Sequence, residues 1–157
     1  MSNRVKVWGL VCVLIVMILL PRCRQRTYQY PFDQTFNNVV KVEVFRYNYA
    51  ADPADNTTTF VTELDLEEAE ELLRDISALP SYKHYGDFPM GSYGEIILYI
   101  TYTNGEAEAI GTVNCASVHL DGEWWIKGYY FDVKQWSAVL TEYVDIELVP
   151  ELDRYLE

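Results

Sequence analysis

Residues 95–131, EIILYITYTNGEAEAIGTVNCASVHLDGEWWIKGYYF, set the architecture of this chain. From Glu95 to Thr103 the side chains alternate. Ile96, Leu98, Ile100 and Tyr102 share one face, the period-two pattern of a half-buried strand. Asn104-Gly105 interrupts the run. An Asn-Gly pair between two such runs is the strongest short-range hairpin signal, and a two-residue type I′ turn is expected there. The chain returns over Glu106–Leu120, with an interruption expected at Gly111. Asp121-Gly122 repeats the hairpin signal. Glu123–Phe131 then forms a further strand carrying Trp124, Trp125, Ile126, Tyr129 and Tyr130. Three consecutive strands joined in this way make an antiparallel meander.

Upstream, Val39–Tyr47 alternates as well, with Val40, Val42 and Val44 expected on one face. Thr57–Thr62 is β-branched and aromatic and reads as a second strand. Asp65 can cap a helix, with Glu68 three residues on as in a capping box. Ala69, Leu72, Leu73, Ile76 and Leu79 give that helix one apolar stripe, and Pro80 stops it. Downstream, Asp132 and Gln135 cap a second helix, across which Phe131 can staple to Trp136. Trp136, Val139, Leu140 and Tyr143 form its stripe. The tail after Asp145 is expected to add a short strand and a turn begun by Pro150. The order is β-β-α-β-β-β-α. These elements predict an α+β fold: an antiparallel sheet of about five strands with both single-striped helices on one face.

Residues 1–26 have a different character. Arg4 and Lys6 precede an uncharged run from Val7 to Leu20, and Pro21, Arg22, Arg24 and Arg26 follow it. No small-residue cleavage site follows the run, which predicts an uncleaved signal-anchor; secretion after cleavage is the alternative. Arg22 stands where a lipobox needs a small residue before Cys23. The expectation is a single-pass transmembrane helix that engages the membrane through residues 5–21, a linker over 27–37, and one domain over 38–157. The basic residues flank the run almost evenly. The domain is placed outside the cytoplasm because the segment is N-terminal, the tail before it is tiny and few cysteines follow.

The chain has 12 Lys+Arg and 24 Asp+Glu. Five of the basic residues and none of the acidic ones precede residue 27, so the remainder carries a formal charge of −17. Such a surface repels phosphate backbones, which argues against nucleic-acid binding and leaves a cationic partner open. Of the three cysteines, Cys12 and Cys23 lie in or beside the apolar segment, and Cys115 stands alone in the domain as a small strand residue.

The phrases ELLRDISALPSYKHYGDFP (71–89), IILYITYTNGEAEAIG (96–111) and DGEWWIKGYYFD (121–132) resemble small uncharacterised proteins of Gram-positive bacteria. These are membrane-anchored or exported through an N-terminal apolar segment and contain a domain of unknown function. The resemblance spans roughly residues 38–145. It implies the anchored architecture and carries over no activity and no functional residue.

The sequence holds no phosphate loop, no H-E-x-x-H, no paired C-x-x-C and no nucleophile elbow. His84 with Asp87 could do acid–base work in the loop 81–93, but no nucleophile or second carboxylate is placed beside them. His119 precedes a hairpin and reads as a cross-strand partner. Asp52, Asp55 and Asn56 do not match a calcium loop and read as turn formers. No cofactor or metal is expected.

The aromatic residues carry more information: 13 Tyr, 4 Trp and 6 Phe, several in adjacent pairs. Strand neighbours point to opposite faces, so Trp125 with Tyr129, or Trp124 with Tyr130, should project from the side of the sheet away from the helices. Such a face suits a protein, peptide or glycan partner. The function expected is a membrane-tethered, non-enzymatic binding module. The alternatives are a cell-surface enzyme using His84 and Asp87, or an acidic inhibitor or immunity-type protein that plugs a basic partner.

Overall fold

The computed structural model describes residues 26–50, 52, 55–84 and 94–156, apart from the side chain of Trp124. Its strands are β1 (Val39–Asn48), β2 (Thr57–Leu64), β3 (Ser81–Lys83), β4 (Ile96–Tyr102), β5 (Ala107–Gly111), β6 (Cys115–Val118), β7 (Trp124–Ile126) and β8 (Tyr129–Phe131). Its α-helices are α1 (Leu66–Ala78) and α2 (Val133–Leu140). Six strands form an antiparallel sheet in the order β2-β1-β4-β5-β6-β7, and β3 pairs with β8 in a separate ribbon. The fold is α+β with a mainly antiparallel sheet of six strands, one more than expected. The transmembrane helix expected at the N-terminus falls on residues 1–25, outside the described residues. Among those described, no helix is long and apolar enough to cross a membrane.

Both caps form as the sequence indicates. The Asp65 carboxylate accepts from the Glu67 and Glu68 amides, and that of Asp132 from the Gln135 amide. Phe131 and Trp136 meet across the second cap with ring centroids 5.3 Å apart. Ala69, Leu72, Leu73 and Ile76 of α1 join Trp136 and Leu140 of α2 over Val42, Val44, Ile96, Leu98, Ile100 and Tyr102. Both helices therefore pack on one face of the sheet. Val40 is exposed because the β1–β4 register shifts between Val39 and Lys41, and Val39 packs in its place. The C-terminal tail adds no strand. It forms 3-10 turns over Ile146–Leu148 and Pro150–Tyr155, which bury Val149 and Leu152.

Both hairpins occur where expected, but not as type I′ turns. Asn104 and Asp121 keep negative φ, and only Gly105 (φ 83°) and Gly122 (φ 85°) are left-handed. Each loop is three residues long. The first is closed by Gly105 N–H to Tyr102 O (2.9 Å) and Tyr102 N–H to Glu106 O (3.0 Å), the pattern of a turn followed by a glycine bulge. The Asn104 and Asp121 carboxamide and carboxylate oxygens cap the Glu106 and Glu123 amides.

Two strands are shorter than expected because the chain breaks inside them. The returning run turns again after Gly111, so that β5 pairs with β6 as well as with β4. The run 123–131 is divided at Gly128, whose φ of 67° an L side chain adopts only with strain. Beyond it the chain leaves β6 and pairs β8 with β3, which lies in the segment expected to be loop.

Residues 27–37 are irregular, as a linker would be, yet they belong to the packed domain. Tyr28 exchanges both backbone hydrogen bonds with Ser81, at 2.8 and 2.9 Å. Tyr30 is buried, and Phe32 and Phe36 pack edge-on in series beside it.

Candidate functional site

β1 and β4 alternate between two apolar surfaces. Val42, Val44, Leu98 and Ile100 face the helices, so Phe45, Ile97 and Tyr99 face the other side. There Ile97, Ala109 and Ala116 form a second buried cluster, edged by Phe45, Tyr47, Tyr99 and Ile126. Among the described residues, only strand side chains contribute to it. A ring series crosses this outer face. Phe60 on the edge strand β2 lies 5.8 Å from Phe45, and Phe45 lies 6.3 Å from Tyr99, both edge to face. Phe60 is 53% exposed. Beside the series is a groove of about 210 Å³ lined by Glu43, Phe45, Thr58, Ile97 and Tyr99. Glu43 in this lining pairs with Lys41 at 2.7 Å. Burial, then the Glu43 charge, raises the Tyr99 phenol above its ordinary pKa.

A larger cleft of about 560 Å³ opens where the β3–β8 ribbon meets β4 and the C-terminal turns. Tyr49, Tyr82, His84, Tyr130 and Tyr155 wall it, with Glu95 and Asp132 among its polar residues. Those polar groups have internal duties. The Tyr49 hydroxyl accepts from Gly94 N–H and donates to Gly94 O (3.1 and 3.2 Å). His84 Nε2 lies 2.9 Å from Val113 O, and its ring stacks on Tyr130 at 4.3 Å. Glu95 pairs with Arg154, and Asp132 caps α2. His84 is thus tied to the ribbon as a packing residue. Asp87, its expected partner, lies outside the described residues, so no His84–Asp87 pair can be drawn.

The third feature is a buried carboxylate. Glu108, in β5, faces the helix side and is fully buried. It accepts from the Tyr30 hydroxyl, from the Tyr102 hydroxyl at 2.5 Å and from Asp33 N–H at 3.2 Å, and it pairs with Lys127. Lys127 also reaches Asp33 at 2.8 Å and Pro31 O at 3.0 Å. Burial, then Cys115 and Glu108, pushes the Tyr30 phenol up; burial and then Glu108 pushes the Cys115 thiol up to about 12. A thiol held protonated in this way is a poor nucleophile. Tyr30 and Asp33 are bonded to Glu108, and Pro31 and Asp33 to Lys127, so the network ties residues 30–33 to the sheet, which marks it as structural.

The two aromatic pairs do not share one sheet. They lie on two strands in two sheets, so alternation does not carry across Gly128. Trp125 sits opposite Ser117 on the helix side of the edge strand, 62% exposed and edge-on to His119 at 5.2 Å. His119 lies 3.6 Å from Glu106, the two residues lying just beyond the last β5–β6 pair, Ala107 and Val118. Tyr129 packs with Tyr28 and Tyr30, and Tyr130 stacks between Tyr82 and His84. The side chain of Trp124 is outside the described residues. Asp52 and Asn56 are turn formers: Asp52 O accepts from Asp55 N–H, and Asn56 Oδ1 from Ala50 N–H. The outer-face rings were readable from the same alternation that identifies the core, as the residues between Val44 and Arg46 and between Leu98 and Ile100.

No family model, characterised protein or solved structure matches this chain.

Proposed function

We propose that this chain is a membrane-tethered, extracytoplasmic binding module, without catalytic activity, that engages a protein or peptide through the outer face of its sheet. The observation that carries this reading is the ring series Phe60–Phe45–Tyr99 beside an open apolar groove. Aromatic anchors next to a pocket of side-chain size are the usual centre of a protein interface. The groove is lined mainly by Phe45, Ile97 and Tyr99, and its one carboxylate, Glu43, is already paired with Lys41, so it suits an apolar side chain. The larger cleft is a weaker candidate because its polar groups are committed to one another.

The test uses the full chain in native membranes, with a photoactivatable residue at Tyr99 or, as a control, at Tyr143 on the helix side. A partner crosslinked from position 99, not from 143, and lost in the Phe45→Ala variant supports the reading. Equal crosslinking from both positions, or none from 99, overturns it. A second reading, an acidic inhibitor of a basic protein, rests on the charge of −17 beyond residue 26. It requires binding that falls steeply with salt, whereas an aromatic interface is far less sensitive.

A further inference from the structure

Strand β2 is an edge of the six-stranded sheet and, among the described residues, is hydrogen-bonded to β1 on one side alone. It is long, at eight residues, and Thr57–Phe60 is exposed along its whole length. From Thr57 to Thr62 it carries no charge and no proline; its one irregularity is a bulge at Val61, where the register with β1 shifts, so Thr57–Phe60 is the regular stretch open to pairing. Its composition, TTTFVT, is strongly β-forming. An open edge of this kind displays unpaired backbone N–H and C=O groups in strand register. The opposite edge, β7, is three residues long and gives much less to pair with.

We infer that β2 accepts an extended segment of a partner protein as a seventh strand, with apolar side chains on the outer face and basic side chains among the rest. This rests on the outer-face reading above and specifies the form of its partner. Two observations choose the occupant. The exposed Phe60 ring ends the series Phe60–Phe45–Tyr99 at the sheet edge, so a strand laid beside β2 continues that series with an apolar side chain of its own. The domain beyond residue 26 carries a charge of −17, with Glu63 on β2 itself and Glu67, Glu68, Glu70 and Glu71 immediately after it. That charge favours a basic segment and opposes a second copy of this chain. Main-chain pairing supplies affinity in strand addition, and alternate side chains supply the selection.

The experiment titrates the full chain, in mild detergent, with a capped ten-residue peptide alternating valine and lysine. Two N-methylated versions accompany it, one methylated on every valine nitrogen and one on every lysine nitrogen. Successive residues of a strand turn their N–H groups to opposite edges. One methylated version should therefore lose binding at least tenfold while the other keeps it. Exchange of those Thr57–Phe60 amides that point away from β1 should slow at least tenfold in the complex, and Phe60→Ala should weaken binding roughly tenfold. A valine–glutamate peptide should bind at least tenfold more weakly than the valine–lysine one. Binding that leaves the β2 amides unprotected, or that survives both methylations, overturns strand addition, as does the absence of binding. So does concentration-dependent self-association that protects β2 without peptide. The two readings fail separately. Loss of peptide in Phe45→Ala and Tyr99→Ala without β2 protection leaves the outer face standing alone. Protection of β2 that ignores both substitutions leaves the edge standing alone.

Discussion

Glu108 and Lys127 form an ion pair in which the carboxylate is fully buried and the ammonium nearly so, at 0% and 12% side-chain exposure. The pair fastens residues 30–33 to the centre of the sheet. Burying two charges costs several kcal/mol, which their attraction offsets only when further hydrogen bonds satisfy both groups, as Tyr30, Tyr102, Asp33 and Pro31 do here. Removing one partner should be far worse than removing both charges. Lys127→Met is expected to destabilise by about 3–5 kcal/mol, and Glu108→Gln with Lys127→Met by less than half of that. Chemical denaturation of the two variants and the Glu108→Gln single variant, taken as a double-mutant cycle, gives the coupling.

Trp136 fills the space between α2, Phe131 and the sheet and is fully buried. Trp136→Ala should cost about 3–5 kcal/mol in denaturant midpoints converted to free energy. Its indole N–H has no partner among the described residues. Trp136→Phe removes that buried donor along with some volume, so it should cost less than half as much. A Trp136→Ala cost below about 1 kcal/mol would mean that α2 does not dock against Phe131.

Tyr30 and Tyr102 make the domain sensitive to alkali. In the unfolded chain these phenols ionise near pH 10. In the folded chain burial first, and the Glu108 charge after it, keeps them protonated to higher pH. Above pH 10 the unfolded state therefore binds fewer protons at these two positions than the folded one, so their contribution to stability is flat below that value and falls above it. The slope should approach about 1.4 kcal/mol per pH unit for each phenol. Thermal melts between pH 8 and 11 should show Tyr102→Phe with the shallower decline, by about one proton's worth.

Gly94 is held at φ 96°, and a Cβ built there would lie 2.1 Å from Thr112 Oγ1. Gly94→Ala therefore meets both a disfavoured backbone and a collision, and should cost about 3 kcal/mol or more. Adding Thr112→Ala removes the oxygen but not the backbone penalty, and should recover the loss down to about 1–2 kcal/mol. Equal melting temperatures for the single and double variants would show that the collision relaxes elsewhere.

The features legible in the sequence are those written locally. Two caps, two apolar stripes, two hairpin positions and the alternation of Ile96–Tyr102 each depend on residues a few places apart. What escaped notice depends on distant partners. Three-residue strands such as Ser81–Lys83 and Tyr129–Phe131 are too short to show a period, and each becomes a strand only by meeting the other. Trp125 and Tyr129 do not share a sheet face, because the left-handed Gly128 resets the alternation between β7 and β8. Tyr30 looked like linker because its reason for order, Glu108, lies 78 residues away. The side of Glu108 itself was readable: it shares a face with Ile110, two places on.

The docking of residues 28–36 bears on how such a domain would stand at a bilayer. In a chain held in the membrane through residues 5–21, the span from Pro21 to Tyr28 would reach at most roughly 25 Å when fully extended. Beyond Tyr28 it would gain no further length, because Tyr28, Tyr30 and Asp33 are already fastened to the ribbon and the sheet. A leash so attached would keep the domain within about its own diameter of the bilayer, and the outer face within reach of neighbours in the same membrane.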